Sequence, residues 1–153
     1  MRPCGPTLLV VEDLEDQAAL VGIAARRAHP GLEVQTASHG GEAIAYLSGQ
    51  APFADRSRHP WPDLVLLDLF MPDVDGFAVL EWIKALPRPL GIPVVVLTAS
   101  VSDEDEARAL ALGAESVHRK PVQISELGNV VRDIVLKWIG REEIISRHIW
   151  EMG

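Results

Sequence analysis

The chain has 153 residues, of which 48% are hydrophobic and 24% charged, and this composition is typical of a folded domain rather than a disordered chain. Its formal net charge of −8, without a basic stripe, argues against nucleic-acid binding. The sequence has no apolar run that could cross a membrane and no signal peptide. The single cysteine, Cys4, excludes an intramolecular disulfide. We therefore expect a cytoplasmic domain without membrane or nucleic-acid partners.

Short apolar runs, interrupted by Gly, Pro and polar residues, predict five strands that alternate with five helices. The predicted strands span residues 7–11, 33–37, 64–67, 93–97 and 115–118. The predicted helices span residues 16–29, 40–48, 76–86, 102–112 and 125–138. This alternation favours an α/β fold, a flavodoxin-like, doubly wound (βα)5 arrangement around a five-stranded parallel sheet.

The end of the chain carries an apolar face beyond the expected core. Gly140 interrupts the helical pattern, which resumes over residues 141–152 with Ile144, Ile145 and Ile149 on one side. We therefore divide the chain into one domain, residues 1–140, and an amphipathic, helical C-terminal extension, residues 141–153. No further domain is expected.

Polar residues follow four of the predicted strands. Glu12 and Asp13 come after the first strand, Asp68 after the third, Thr98 after the fourth and Lys120 after the fifth. The carboxyl ends of parallel strands meet at one edge of the sheet, where open α/β folds bind ligands. Three carboxylates would repel one another there unless a divalent cation joined them, and Mg²⁺ fits best. Such a site could stabilise a phosphoryl group attached to Asp68 as the nucleophile.

Each of these residues has a plainer interpretation when it is taken alone. A carboxylate at a strand end is often a turn residue or a helix cap, and Thr98 and Lys120 could be ordinary strand-end and surface residues. Other phosphate sites fit less well. The loop at residues 12–16 is too acidic for a P-loop or flavin site, and Phe70 stands where a haloacid-dehalogenase-type phosphatase has a second aspartate.

The segments VVEDLED, VLLDLFMPDVDG, VVVLTAS and HRKPV together resemble the receiver domain of two-component response regulators. The resemblance covers residues 8–138. It implies a signalling protein rather than an enzyme, one that accepts a phosphoryl group on Asp68 from a sensor histidine kinase. Such a protein catalyses only its own phosphorylation and slow dephosphorylation.

The resemblance also implies which residues bind the Mg²⁺ cofactor. Glu12, Asp13, Asp68 and the backbone carbonyl of Phe70 would form the metal site. Asp13 would be a direct ligand, whereas Glu12 would act mainly through water.

Three more positions follow from the resemblance. Thr98 would be the switch hydroxyl, Lys120 would contact the phosphoryl group, and a cis peptide bond would precede Pro121. The family usually has an aromatic residue three positions before the lysine, but this chain has Val117 there. We therefore expect signalling through backbone shifts in the last helices, or through an interface, rather than through an aromatic rotamer switch.

The long loop at residues 49–62 and the helical tail are most similar to single-domain regulators that partner bacterial phytochromes. This similarity predicts a bacteriophytochrome-type histidine kinase as partner. It also predicts a homodimer formed by the last helices and residues 141–153.

Phe70, bulky and apolar, is expected to restrict the attacking water and to make the phosphorylated state long-lived. The alternative to a phosphoacceptor is a receiver-like interaction module that never takes phosphate and signals by binding alone.

Overall fold

A computed structural model describes residues 5–140 of the chain and shows five strands and five helices there. The strands are β1 Thr7–Val11, β2 Glu33–Ala37, β3 Leu64–Leu67, β4 Val94–Thr98 and β5 Ser116–Arg119. The helices are α1 Glu15–Ala28, α2 Gly40–Ser48, α3 Gly76–Lys84, α4 Asp103–Ala111 and α5 Ile124–Trp138. The predicted extension, residues 141–153, lies outside the described residues, so its helix stays a prediction.

The five strands form one parallel sheet in the order β2-β1-β3-β4-β5. Successive strand residues enter opposite cores, as the two-residue period of a strand requires. Leu9, Val65 and Val96 pack with α2, α3 and α4, whereas Leu8 and Leu66 pack with α1 and α5. The two-sided burial explains why β1, β3 and β4 read as continuous apolar runs. The predicted α/β fold is confirmed.

The element boundaries agree with the sequence to within one or two residues. β1, β2, β3 and α2 begin and end where expected. Strand β4 extends to Thr98, because Thr98 still pairs with Arg119 of β5. The side chain of Ser102 caps α4 by accepting a hydrogen bond from Asp105 N, and Gly113 follows that helix with a φ of 108°. None of the described helices is long and apolar enough to span a bilayer.

The segment between α2 and β3 is held by the side chains of Tyr46 and Arg56, which no sequence pattern marks. Tyr46 is fully buried, and its hydroxyl donates a hydrogen bond to Pro60 O at 2.7 Å. Arg56 donates to Tyr46 O at 2.6 Å and to His59 O at 3.0 Å, and its guanidinium lies 4.0 Å from the Trp61 ring. These bonds fix an aperiodic loop against the helix before it.

Tyr46→Phe is therefore expected to lower the free energy of unfolding by about 1–2 kcal/mol. The change removes the donor and leaves the buried Pro60 carbonyl without its partner. Burial raises the pKa of Tyr46 to about 12, so the hydroxyl keeps its proton at neutral pH. Urea denaturation measures the loss. Ser48→Ala, which removes an exposed hydroxyl from the same helix, should change stability by less than about 0.5 kcal/mol.

Candidate functional site

Three carboxylates meet at the edge of the sheet where β1 and β3 end. Glu12 and Asp13 directly follow β1, and Asp68 directly follows β3, the strand that pairs with β1. Carboxylate oxygens of all three residues lie within 4.8 Å of one another. Glu12 and Asp68 are buried, with 5% and 7% of their surface exposed, and Asp13 is half-buried. The sequence prediction that these carboxylates converge is supported by this geometry.

Lys120, just after β5, brings a positive charge into the same cluster. Its Nζ lies 2.5 Å from Glu12 Oε2 and 3.8 Å from Asp68 Oδ2. All three side chains are less than one-tenth exposed, so water screens these charges weakly. The resemblance to receiver domains predicts that Lys120 contacts the phosphoryl group. The sequence does not predict its ion pair with Glu12, which is shorter than its contact with Asp68.

The protonation of Glu12 reflects this crowding. Burial raises the pKa of Glu12 to about 7, and the negative charge of Asp68 acts in the same direction. The hydrogen bond and the positive charge of Lys120 act in the opposite direction. The cluster thus holds more negative charge than its buried surroundings favour, which is the condition under which a bound cation stabilises a site.

Thr98 ends β4, beside β3, and is fully buried. Its Oγ1 has no hydrogen-bond partner among residues 5–140. A buried hydroxyl without a hydrogen-bond partner lowers the stability of a folded protein, so the Thr98 hydroxyl is a candidate donor to a bound ligand. The backbone nearby is well paired, because Lys120 N donates to Thr98 O at 2.7 Å.

Local backbone geometry presents Asp68 at the end of β3. Gly76, the first residue of α3, lies so close to this strand end that a Cβ there would stand 2.3 Å from Asp68 O. Only glycine permits that approach. Asp75 caps α3 by accepting from Ala78 N at 2.9 Å, and Gly76 N donates to Leu69 O at 2.9 Å. The sequence predicts Gly76 as the start of this helix, but not its close approach to Asp68.

The remaining predicted positions are placed as follows. Phe70 N donates to Asp68 Oδ1 at 3.3 Å, which sets the Phe70 peptide beside the cluster, but a metal contact by its carbonyl stays a prediction. Val117 is half-buried against the core. The expected cis bond before Pro121 is wrong, since the cis peptide bond within residues 5–140 precedes Pro52.

The residues present fit a divalent cation. Hard oxygen ligands, excess negative charge and a half-buried carboxylate open to solvent suit Mg²⁺, which keeps several waters of its own. The Thr98 hydroxyl and the Lys120 ammonium lie at the ends of the neighbouring strands, where they suit an anionic group better than a metal.

Comparison with known proteins supports this interpretation. Residues 8–132 match the family described as response regulator receiver domain. The chain is 36% identical, over 133 residues, to the probable methanogenesis regulatory protein FilR2 of Methanothrix harundinacea, covering 87% of this chain and 83% of that protein. It spans about half the length, 46% to 49%, of several other curated relatives, which are transcriptional regulators.

Solved structures of similar fold include regulators of phytochromes. The phosphorylated cyanobacterial phytochrome response regulator RcpA superposes with a TM-score of 0.80 at 34% identity, covering 88% of this chain and 94% of that one. The Mn²⁺-bound response regulator Rcp1 superposes with a TM-score of 0.78 at 31% identity, with the same coverage. The chain therefore belongs to the response regulator receiver domain family.

Proposed function

We propose that Asp68 accepts a phosphoryl group from a sensor histidine kinase in a magnesium-dependent reaction, and that the phosphorylated domain signals through a changed protein–protein interface. The observation that carries the proposal is the meeting of three carboxylates with Lys120 at one sheet edge, next to the unpartnered hydroxyl of Thr98. Similarity to the phosphorylated regulator RcpA supports it.

In the proposed step, a carboxylate oxygen of Asp68 attacks the phosphorus of a phosphohistidine. The new O–P bond forms as the N–P bond breaks, and the imidazole nitrogen keeps the electron pair. Lys120 and Thr98 would bind oxygens of the transferred group, one as a positive charge and the other as a hydroxyl donor. Hydrolysis then ends the signal: water attacks the phosphorus, the O–P bond to Asp68 breaks, and the free carboxylate and inorganic phosphate are released.

Glu12, Asp13, Asp68 and the carbonyl of Phe70 would hold the Mg²⁺ cofactor. When bound, the ion supplies charge neutralisation for the phosphoryl oxygens. The protein's own contribution is to hold these oxygen ligands close together, with Glu12 and Asp68 buried and Asp13 half-buried.

The direct test treats the purified chain with acetyl phosphate and Mg²⁺ and measures its intact mass. We expect a gain of one phosphoryl group, which is absent when Mg²⁺ is chelated and absent in Asp68→Asn. This variant has nearly the same shape but lacks the nucleophilic carboxylate. A wild-type protein that never gains mass would instead favour the interaction module that takes no phosphate.

Mg²⁺ should also stabilise the protein against heat. At a concentration ten times its dissociation constant, the ion is expected to add about 1.4 kcal/mol to the free energy of unfolding. Asp13→Asn should lose most of this gain because it removes the proposed direct ligand. Thermal melts with and without Mg²⁺ measure it, and Asp16→Asn, an exposed acid in α1, is the control. Equal stabilisation of all three proteins would contradict the assignment.

A phosphorylation-independent interaction module remains the second candidate. A module that only binds partners gains nothing from buried like charges, which cost stability. Similarity to phytochrome regulators supports a bacteriophytochrome-type kinase as the phosphodonor. The homodimer through the last helices and residues 141–153 stays a prediction.

A further inference from the structure

Phe70 lies beside the nucleophile and contacts a second aromatic ring. Its side chain is 49% exposed, and its amide donates to Asp68 Oδ1. Its ring packs on the ring of Phe77 in α3 in a T-shaped arrangement, with the centroids 6.1 Å apart and an interplanar angle of 74°. The ring of Phe70, whose peptide adjoins Asp68, is therefore positioned in part by Phe77.

Phe77 is in turn contacted from α4. The guanidinium carbon of Arg108 lies 4.1 Å from the centroid of the Phe77 ring, a cation–π distance. Arg108 also forms an ion pair with Glu81 of α3 at 3.1 Å. Its guanidinium thus bridges helix α4 to both the aromatic ring and the carboxylate of α3.

Helix α4 is held loosely by its apolar residues. Of the residues of α4, which are all described, Ala109 alone is buried. Helix α5, in comparison, buries Leu127, Val131, Ile134 and Val135. The position of α4 therefore depends strongly on polar contacts such as that of Arg108. An element with little buried apolar surface is the kind that moves in a switch.

We propose that Arg108 is a positioning residue for the reaction at Asp68. It acts through Phe77 on Phe70, and so couples the position of α4 to the lifetime of the phosphoryl group. The inference rests on the proposed function. By linkage, a phosphoryl group that favours one placement of Phe70 must also favour one placement of Arg108 and α4. This coupling needs no aromatic residue at the position of Val117.

The test measures the phosphoryl lifetime by intact mass after acetyl phosphate is removed. Arg108→Met keeps most of the side-chain volume but removes the charge. We expect it to shorten the lifetime about two- to fivefold, the range that an exposed cation–π contact supports. Arg108→Lys keeps a cation and should restore most of the lifetime. Arg132→Met, which removes an equally exposed arginine from α5, should leave it unchanged.

The same substitution in a Phe70→Asn background separates positioning from a general structural effect. If Arg108 acts through Phe70, Arg108→Met should change the lifetime little once the ring is gone. A wild-type lifetime in Arg108→Met, or an equal shortening in both backgrounds, would overturn the inference while the proposed function stands. A wild-type chain that takes no phosphate would remove the proposed function, and the inference with it.

Discussion

Lys120→Met is expected to lower the free energy of unfolding by about 3–5 kcal/mol, because it leaves buried carboxylates without their cation. Lys120 contacts Glu12 at 2.5 Å and Asp68 at 3.8 Å, and the side chains of this group are less than one-tenth exposed. Methionine fills most of the same volume, so the loss reports charge rather than a cavity. Urea denaturation without Mg²⁺ measures it, and most domains survive such a loss.

Lys137→Met is the matched control for this prediction. Lys137 is an exposed lysine of α5, and its Nζ lies 5.3 Å from the Trp138 ring centroid. We expect its replacement to cost less than about 1 kcal/mol. If the two variants lost similar amounts of stability, Lys120 would not be compensating the carboxylates.

The same Lys120 variant should also take up phosphate slowly. Removing a preorganised positive charge from a developing phosphoryl anion typically costs on the order of 10²- to 10³-fold in rate. The initial rate of mass gain with acetyl phosphate, in buffer without urea where the variant is folded, measures the loss in rate. A folded variant that gains mass at the wild-type rate would exclude Lys120 from the phosphoryl site.

The fold could be predicted because its local signals agree with one another. β1, β3 and β4 are short apolar runs, and Gly or Pro residues mark most helix ends. The carboxyl ends of parallel strands share one edge, so the meeting of Glu12, Asp13 and Asp68 followed from topology alone. Boundaries shifted by a residue or two where a strand pairing, such as that of Thr98, decided them.

Long-range partners could not be predicted, because no local pattern encodes them. Helix α2 fully buries Tyr46 with Leu47, whereas Ile44 packs only partly buried against the same core. The acceptor of Tyr46 is a carbonyl in an aperiodic loop, and the arginine that holds this loop, Arg56, has no periodic signal either. The contact between Lys120 and Glu12 joins residues 108 positions apart, so only the folded sheet reveals it.

Phe70→Asn is expected to shorten the lifetime of the phosphorylated state by roughly 10- to 100-fold, equivalent to about 1.4–2.8 kcal/mol of activation free energy. The Phe70 peptide adjoins Asp68 and the half-exposed ring lies against Phe77, so we expect the ring to cover one approach to an acyl phosphate on that carboxylate. Asparagine opens this approach and adds an amide that can orient the attacking water. The decay of the phosphorylated mass after removal of acetyl phosphate measures the change.

Phe70→Leu distinguishes exclusion of water from a specific effect of the aromatic ring. Leucine remains bulky and apolar, so the lifetime should stay within a few-fold of wild type if Phe70 acts by covering the site. A wild-type phosphoryl group lost within seconds, or an asparagine variant that decays no faster, would contradict the hypothesis. A leucine variant as fast as asparagine would show instead that the T-shaped contact with Phe77 matters more than bulk. Because a long-lived acyl phosphate gives a partner time to bind, this one side chain would set the duration of the signal.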